Sequence, residues 1–220
     1  MRRRHLLLAT PALAAANTRI ENESSRHWHA RVASFASETV APGAIVFLGD
    51  SMTERFPLQA LLGERTSRQL VNRGIGGDKV GGWRYWGLLD RLDAVLALQP
   101  AQLVLMIGVN DLVFAATPFE VLLPSVARLL DLLRAGGPQL LVHAVLPVRD
   151  RLATHGARIH AYNDALQTEV RRRSLAWLDL RPQFTDAEGL LRADLASDAV
   201  HLNAQGYQRW AQALAPHLLR

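Results

Sequence analysis

Four separated stretches of the sequence carry residue types that together suit nucleophilic catalysis. The first is Ser51, which follows Gly49 and Asp50 at the end of the apolar run 44–48. A serine placed where a buried strand stops and a turn begins is exposed on a rigid scaffold, as a nucleophile must be. Because strand-to-turn Gly-Asp-Ser sequences are common, this turn points to a hydrolase only if a base and an oxyanion site accompany it.

A candidate base lies near the end of the sequence, where Asp198 is followed three residues later by His201. This spacing puts both side chains on one face of a turn, so the carboxylate can orient the imidazole and stabilise its charged form. Two other interpretations stay open: the histidine is incidental to a helix start, or the two residues ligate a metal. A metal pair is disfavoured because no third cluster of ligands accompanies it.

Candidate oxyanion donors come from two further stretches. Gly77 lies in a glycine-rich segment, 74–82, and Asn110 directly follows the apolar run 103–107 and Gly108-Val109. The backbone amides of Ser51 and Gly77, with the Asn110 side chain, could surround one oxyanion, as acyl transfer requires. The alternatives are a flexible loop for the glycines and a capping role for Asn110. The glycine spacing matches neither a dinucleotide-binding fingerprint nor a phosphate-binding P-loop.

Predicted strands and predicted helices alternate along the chain, and these elements must position the candidate residues. Apolar runs predict strands at 44–48, 70–72, 102–108, 140–147 and 176–180, and helical periodicity covers 83–98, 118–134, 157–173 and 204–218. This alternation predicts an α/β protein with three layers, α/β/α, around a flavodoxin-like five-stranded parallel sheet of order 2-1-3-4-5. In such a sheet the site forms at the carboxyl ends of the strands, where all four stretches fall.

Length and composition favour a single globular domain over residues 20–220. Of the 220 residues, 49% are hydrophobic and 20% are charged. The net charge is +5, but three of those charges belong to Arg2, Arg3 and Arg4, so nucleic-acid binding is not expected. No long apolar run follows position 20, so no stable membrane insertion is expected. The chemistry requires no cofactor and no metal, and oligomeric state is not predicted.

The N-terminal segment has the pattern of a secretory signal. Arg2, Arg3 and Arg4 precede an apolar stretch that ends in small residues near Ala16. We therefore predict a signal peptide over residues 1–16 and a secreted or periplasmic protein. The alternative is an ordinary frayed helix on a cytoplasmic protein.

The four stretches, in this order and spacing, resemble the blocks of the SGNH (GDSL) hydrolase superfamily over about residues 27–218. The residues Leu202-Asn203 after His201 match the superfamily as well. Three further stretches resemble the branch of platelet-activating-factor acetylhydrolase-like bacterial esterases: Trp28 to Phe35, Arg91-Leu92-Asp93 and Leu146-Pro147-Val148. The resemblance implies that Ser51 is the nucleophile, His201 the base and Asp198 its orienting acid. It also implies an oxyanion hole of Ser51, Gly77 and Asn110, with Gly77 chosen over its neighbour Gly76.

The resemblance implies a serine esterase that acts on short-chain, chiefly acetyl, esters of a small molecule or a carbohydrate. A lysophospholipase or thioesterase acting on lipid acyl esters is the alternative, and a non-catalytic carbohydrate-binding domain is a more distant one. Trp83, Tyr85 and Trp86 follow the second block and line either the substrate pocket or the core.

Overall fold

The computed structural model describes residues 22–220, so the predicted signal peptide at 1–16 lies outside the described residues. A single sheet of parallel strands forms its centre, with the order β2-β1-β3-β4-β5. The strands are β1 (Ile45–Gly49), β2 (Leu70–Gly74), β3 (Gln102–Met106), β4 (Gln139–His143) and β5 (Ala176–Leu178). The predicted fold class and strand order are therefore confirmed.

Helices cover both faces of this sheet. They are α1 (Glu23–Phe35), α2 (Ser51–Glu54), α3 (Leu58–Leu62), α4 (Leu92–Leu96), α5 (Val109–Val113), α6 (Phe119–Ala135), α7 (Gly156–Arg172), α8 (Arg181–Phe184) and α9 (Ala204–Leu214). Short 3-10 turns occupy Gly63–Arg65, Leu88–Asp90, Asp150–His155, Ala193–Leu195 and Ala215–His217. Within the described residues, none of the helices has both the length and the apolar character needed to cross a membrane.

Alternate residues of each strand feed two separate cores, which explains why the strands read as continuous apolar runs. In β1, Val46 and Leu48 pack with α4, α6 and α7, whereas Ile45 and Phe47 pack with α3 and α9 on the other face. All five residues of β1 are buried. Burial on both faces fixes the central strands in place, and these strands therefore fix the positions at which the loops at their carboxyl ends begin.

The predicted helix over 83–98 is wrong for its first half. Residues 83–86 form no helix, and helical structure starts only with the turn Leu88–Asp90 and with α4. The chain here folds back on the loop that follows β2. The amide of Leu88 donates to the Lys79 carbonyl at 2.9 Å, and that of Leu89 donates to the Val80 carbonyl at 3.0 Å. These backbone bonds replace the helical ones that the apolar periodicity predicts.

Other predicted elements also end earlier than expected. The last helix stops at Leu214 and continues as the turn Ala215–His217, because Pro216 lacks an amide hydrogen. The third and fourth strands stop at Met106 and His143, so the residues after them form the loops of the site rather than the sheet.

A buried histidine near the sheet end should make the protein sensitive to acid. His143 is 1% exposed, Trp210 Nε1 donates to its Nε2 at 3.5 Å, and its Nδ1 has no partner among the described residues. Burial, with a smaller effect of His217, lowers the pKa of His143 to about 3. The unfolded chain takes up this proton near pH 6.5, so it binds more protons than the folded protein between the two values.

We therefore expect His143→Gln to flatten the acid side of the stability profile. Below about pH 6.5 the wild type should lose roughly 1.4 kcal/mol of unfolding free energy per pH unit through His143, and the glutamine variant should not. Glutamine keeps an acceptor for Trp210 and does not titrate. Urea unfolding of both proteins at pH 7 and pH 4.5 measures the difference; equal losses would show that His143 does not control acid stability.

Candidate active site

The nucleophile candidate Ser51 occupies the first position of α2, directly after β1. The turn between them needs glycine at position 49, because a Cβ there would lie 2.4 Å from the Met106 carbonyl oxygen and from Thr53 Oγ1. Asp50 caps α2 through its carboxylate, which accepts the Met52 amide at 3.0 Å. The half-buried Ser51 side chain is thus held at the carboxyl edge of the sheet.

A continuous line of hydrogen bonds joins Ser51 to a carboxylate. Ser51 Oγ lies 2.9 Å from His201 Nε2, and His201 Nδ1 lies 2.7 Å from Asp198 Oδ2. The second Asp198 oxygen accepts the amides of Val200 at 2.9 Å and His201 at 2.8 Å. The structure therefore brings together the three residues that the sequence predicts as nucleophile, base and orienting acid.

The Asp198 carboxylate stays ionised in this position. Burial raises its pKa, but the amides of His201 and Val200 and the His201 side chain outweigh burial and lower it to about 2. An ionised carboxylate on Nδ1 holds the imidazole with Nε2 unprotonated toward the serine, which is the tautomer that a general base requires. The same carboxylate would stabilise the imidazolium formed when His201 accepts a proton.

Asp50 lies beside Ser51 but takes no part in this line of hydrogen bonds. It is 1% exposed, and burial raises its pKa to about 7, with the nearby carboxylates of Asp78 and Asp111 adding to the effect. Its side chain accepts the Met52 amide at 3.0 Å. The structure therefore gives Asp50 a capping role in the nucleophile turn.

The three candidate oxyanion donors lie on the loops after three adjacent strands, because β1 pairs with both β2 and β3. Gly77 adopts φ +77°, a conformation that favours glycine. Within residues 22–220, the backbone amides of Ser51 and Gly77 donate no hydrogen bond, so both are available to a ligand. Asn110 Nδ2 uses one hydrogen for the Asp78 carbonyl at 2.9 Å and retains the second.

Hydrogen bonding also distinguishes the Gly77 amide from the amide of its neighbour Gly76 as a candidate oxyanion donor. The Gly76 amide donates to the carboxylate of Glu54, so it is not free to bind an oxyanion. The Gly77 amide is therefore the better candidate of the two.

Three aromatic residues flank this loop rather than entering either core. Trp83, Tyr85 and Trp86 are half-buried, and Lys79 Nζ lies 4.6 Å from the centre of the Tyr85 ring. Lys79 and Tyr85 border two small pockets, one shared with Trp83 and the other with Trp86 and Gly77. Each pocket has room for about one water molecule. The interpretation of these aromatics as pocket residues is thus favoured.

A buried ion pair at the loop that follows β2 was not predicted from the sequence as part of the site. Arg91 Nη2 lies 2.7 Å from Asp78 Oδ2, and both side chains are at most 2% exposed. Asp78 directly follows Gly77, and a charged residue inside an otherwise apolar and glycine-rich stretch is the signal that could have indicated it. No group of three or more side chains able to hold a metal ion occurs in the part of the chain that the structure describes.

Comparisons with known proteins agree with this geometry. The model of the GDSL-like lipase/acylhydrolase family matches residues 47–209. No curated protein sequence matches the chain. Among solved structures, a Streptococcus pneumonia protein described as a platelet activating factor is 25% identical with a TM-score of 0.75, over 90% of this chain and 94% of that one.

Two further solved structures share the fold at lower identity. A GDSL-like lipase from Bacteroides thetaiotaomicron is 19% identical with a TM-score of 0.70, over 89% of this chain and 96% of that one. The acetylxylan esterase Axe2 from Geobacillus stearothermophilus is 19% identical with a TM-score of 0.64, over 80% of this chain and 94% of that one.

Proposed function

The chain belongs to the GDSL-like lipase/acylhydrolase family and is a carboxylic ester hydrolase. We propose that it is a serine esterase of short acyl esters, with Ser51, His201 and Asp198 as its catalytic triad. The observation that carries the proposal is the line of hydrogen bonds at 2.9 Å and 2.7 Å from Ser51 through His201 to Asp198. The experiment that tests the nucleophile is Ser51→Ala, argued in the Discussion.

The proposed reaction proceeds in two steps. Ser51 Oγ attacks the ester carbonyl carbon while His201 Nε2 accepts its proton, and the carbonyl oxygen becomes an oxyanion held by Ser51, Gly77 and Asn110. His201 then returns the proton to the departing alcohol as the ester bond breaks. In the second step water attacks the acyl-enzyme, His201 accepts its proton, and Ser51 leaves with that proton as the acid is released.

We propose an acetylated carbohydrate as the substrate class. The small pocket beside Gly77 favours a short acyl group, and the aromatic side chains of Trp83, Tyr85 and Trp86 offer apolar faces of the kind that sugar rings stack on. The Geobacillus structure that shares this fold is an acetylxylan esterase. The second candidate, a lipid acyl ester or thioester, is favoured by Phe114, whose side chain is 56% exposed four residues after Asn110.

A panel of esters should separate these substrates. We expect kcat/KM to be highest for p-nitrophenyl acetate and to fall about ten-fold or more for the octanoate, because a water-sized pocket gives a long acyl chain no apolar surface to bury. Acetylated xylan should release acetate, and a lysophospholipid should not be hydrolysed. A preference for the octanoate or the lysophospholipid would replace the carbohydrate proposal with the lipid one.

We also propose that the protein is exported, on the basis of Arg2, Arg3 and Arg4 and the apolar residues after them. N-terminal sequencing of the mature protein should begin after position 16. A mature chain that still begins with Met1 or Arg2 would indicate that this segment is retained.

A further inference from the structure

Two carboxylates, those of Glu54 and Asp78, anchor the loop that carries Gly77. We infer that these carboxylates and the side chains bound to them are positioning residues that orient the oxyanion donors. We call this set of residues the frame: Glu54, Asp78, Arg91, His27, Trp28 and Arg31. Helix α1 contributes the last three of them. The inference rests on the proposed function, because it assigns these residues to the oxyanion hole of that reaction.

Asp78 links the two donors that lie outside the nucleophile turn. Its main-chain carbonyl accepts the Asn110 amide at 2.9 Å, and its amide follows Gly77 directly. Its side chain is fully buried, with Oδ2 accepting Arg91 Nε at 3.1 Å and Nη2 at 2.7 Å, and Oδ1 accepting Trp28 Nε1 at 3.1 Å. A shift of this one residue would therefore move both Gly77 and the acceptor that orients Asn110.

Arg91 ties Asp78 to the ends of two strands. Its Nη2 also donates to the Arg73 carbonyl at 2.8 Å and lies 3.4 Å from the Gly49 carbonyl oxygen. Gly49 precedes the nucleophile turn, so the same guanidinium contacts the backbone on the nucleophile side and the side chain on the donor side. Both side chains are at most 2% exposed, so moving either one would leave a buried charge without its partner.

Glu54 makes the equivalent connection on the other side of Gly77. It lies on α2, three residues after Ser51, and its carboxylate accepts the Gly76 amide. His27 Nε2 and Arg31 Nε each lie 3.1 Å from a Glu54 oxygen. The residues on either side of Gly77 are thus anchored, and its own amide is left unpaired between them.

Helix α1 supplies three of the side chains in this frame: His27, Trp28 and Arg31. It lies outside the stretch that the family model matches, which begins at residue 47. Trp28 is 5% exposed and stacks on Trp86 at 5.4 Å between ring centres. This helix therefore joins the Gly77 loop to the aromatic residues beside it.

Donors of this kind act on the transition state only if they point at the oxyanion before it forms. Loosening them should lower kcat and leave ground-state binding, and hence KM, nearly unchanged. A purely structural role would lower the melting temperature and the amount of active protein without changing kcat per labelled site.

Trp28→Phe and Glu54→Gln are the variants that test the inference. Phenylalanine keeps a ring against Trp86 and removes the indole N–H, and glutamine keeps the shape of Glu54 and removes its charge. We expect each to lower kcat by about three- to twenty-fold with KM within two-fold, measured per site labelled by a fluorophosphonate probe. Arg26→Gln, an exposed change on the same helix, is the matched control and should leave both parameters unchanged.

The same two substitutions are then made in the Asn110→Ala background. Residues that act through the same oxyanion hole should couple, so each loss should shrink to about two-fold or less. An increase in KM at constant kcat, or an equal fold-loss in both backgrounds, would overturn the inference. Absence of probe labelling at Ser51 in the wild type would instead refute the proposed function itself.

Discussion

Ser51→Ala should lower kcat for p-nitrophenyl acetate by about 10⁴-fold or more, because it removes the oxygen that is proposed to form the acyl-enzyme. Ser51 Oγ lies 2.9 Å from His201 Nε2, and no other hydroxyl is placed against this imidazole in the described residues. The substitution deletes one atom from a half-buried side chain, so the fold should be retained. Initial rates under saturating substrate, with circular dichroism as the check on folding, measure the effect.

Two observations make this result specific to Ser51. Ser34→Ala is the matched control, since Ser34 is exposed on α1 and donates only to the Arg31 carbonyl at 2.8 Å. A fluorophosphonate probe should label Ser51 in the wild type and in this control, and mass spectrometry of the peptide identifies the site. Retained turnover in Ser51→Ala, or labelling at another serine, would refute the nucleophile assignment.

Adding His201→Ala to Ser51→Ala should cost little more. In the proposed mechanism the two residues act as one unit through the 2.9 Å contact, and such units show strongly non-additive losses. The residual rate of both variants should be that of an oxyanion site acting on water alone. A further large loss in the double variant would mean that His201 has a role apart from Ser51.

The sheet and the pairing of Asp198 with His201 could be predicted because each depends on local sequence. The contact of Ser51 with His201 joins residues 150 positions apart, and it was implied only by the resemblance to the hydrolase superfamily. A strand buried on both faces is a continuous apolar run, and the polar residue that ends it falls at the carboxyl edge wherever the neighbouring strands lie. That is why Ser51, Gly77 and Asn110 could be placed on three adjacent loops before the structure was known. Asp198 and His201 meet through their own short spacing, at 2.7 Å.

The frame behind the oxyanion loop could not be predicted in this way. Asp78 meets Trp28, which is 50 residues earlier in the chain, and Glu54 meets His27 at a separation of 27 residues. Neither pairing follows a helical or strand period, and the predicted helix over 83–98 concealed the turn that brings Arg91 to Asp78. Contacts between distant segments depend on the packed fold, so a single sequence offers no spacing from which to infer them.

Asn110→Ala should lower kcat by about 10²–10³-fold with little change in KM, because it removes the proposed oxyanion donor, which would act chiefly in the transition state. The side chain is 7% exposed, and one of its N–H groups donates to the Asp78 carbonyl at 2.9 Å, which leaves the second N–H for a ligand. Steady-state kinetics with p-nitrophenyl acetate separates kcat from KM. Asn163→Ala, which removes a fully buried amide bound to the Val145 backbone, should lower stability without this loss of kcat.

Asn110→Asp distinguishes donation from packing. Aspartate keeps the size and shape of the side chain but places an ionised carboxylate where the oxyanion would form, so at pH 8 it should be at least as damaging as alanine. If Asn110 only fills space beside Asp78, the isosteric aspartate should retain more activity than alanine. An aspartate variant that is folded by circular dichroism and clearly faster than the alanine variant would remove Asn110 from the oxyanion hole, because a negative charge cannot stabilise another beside it.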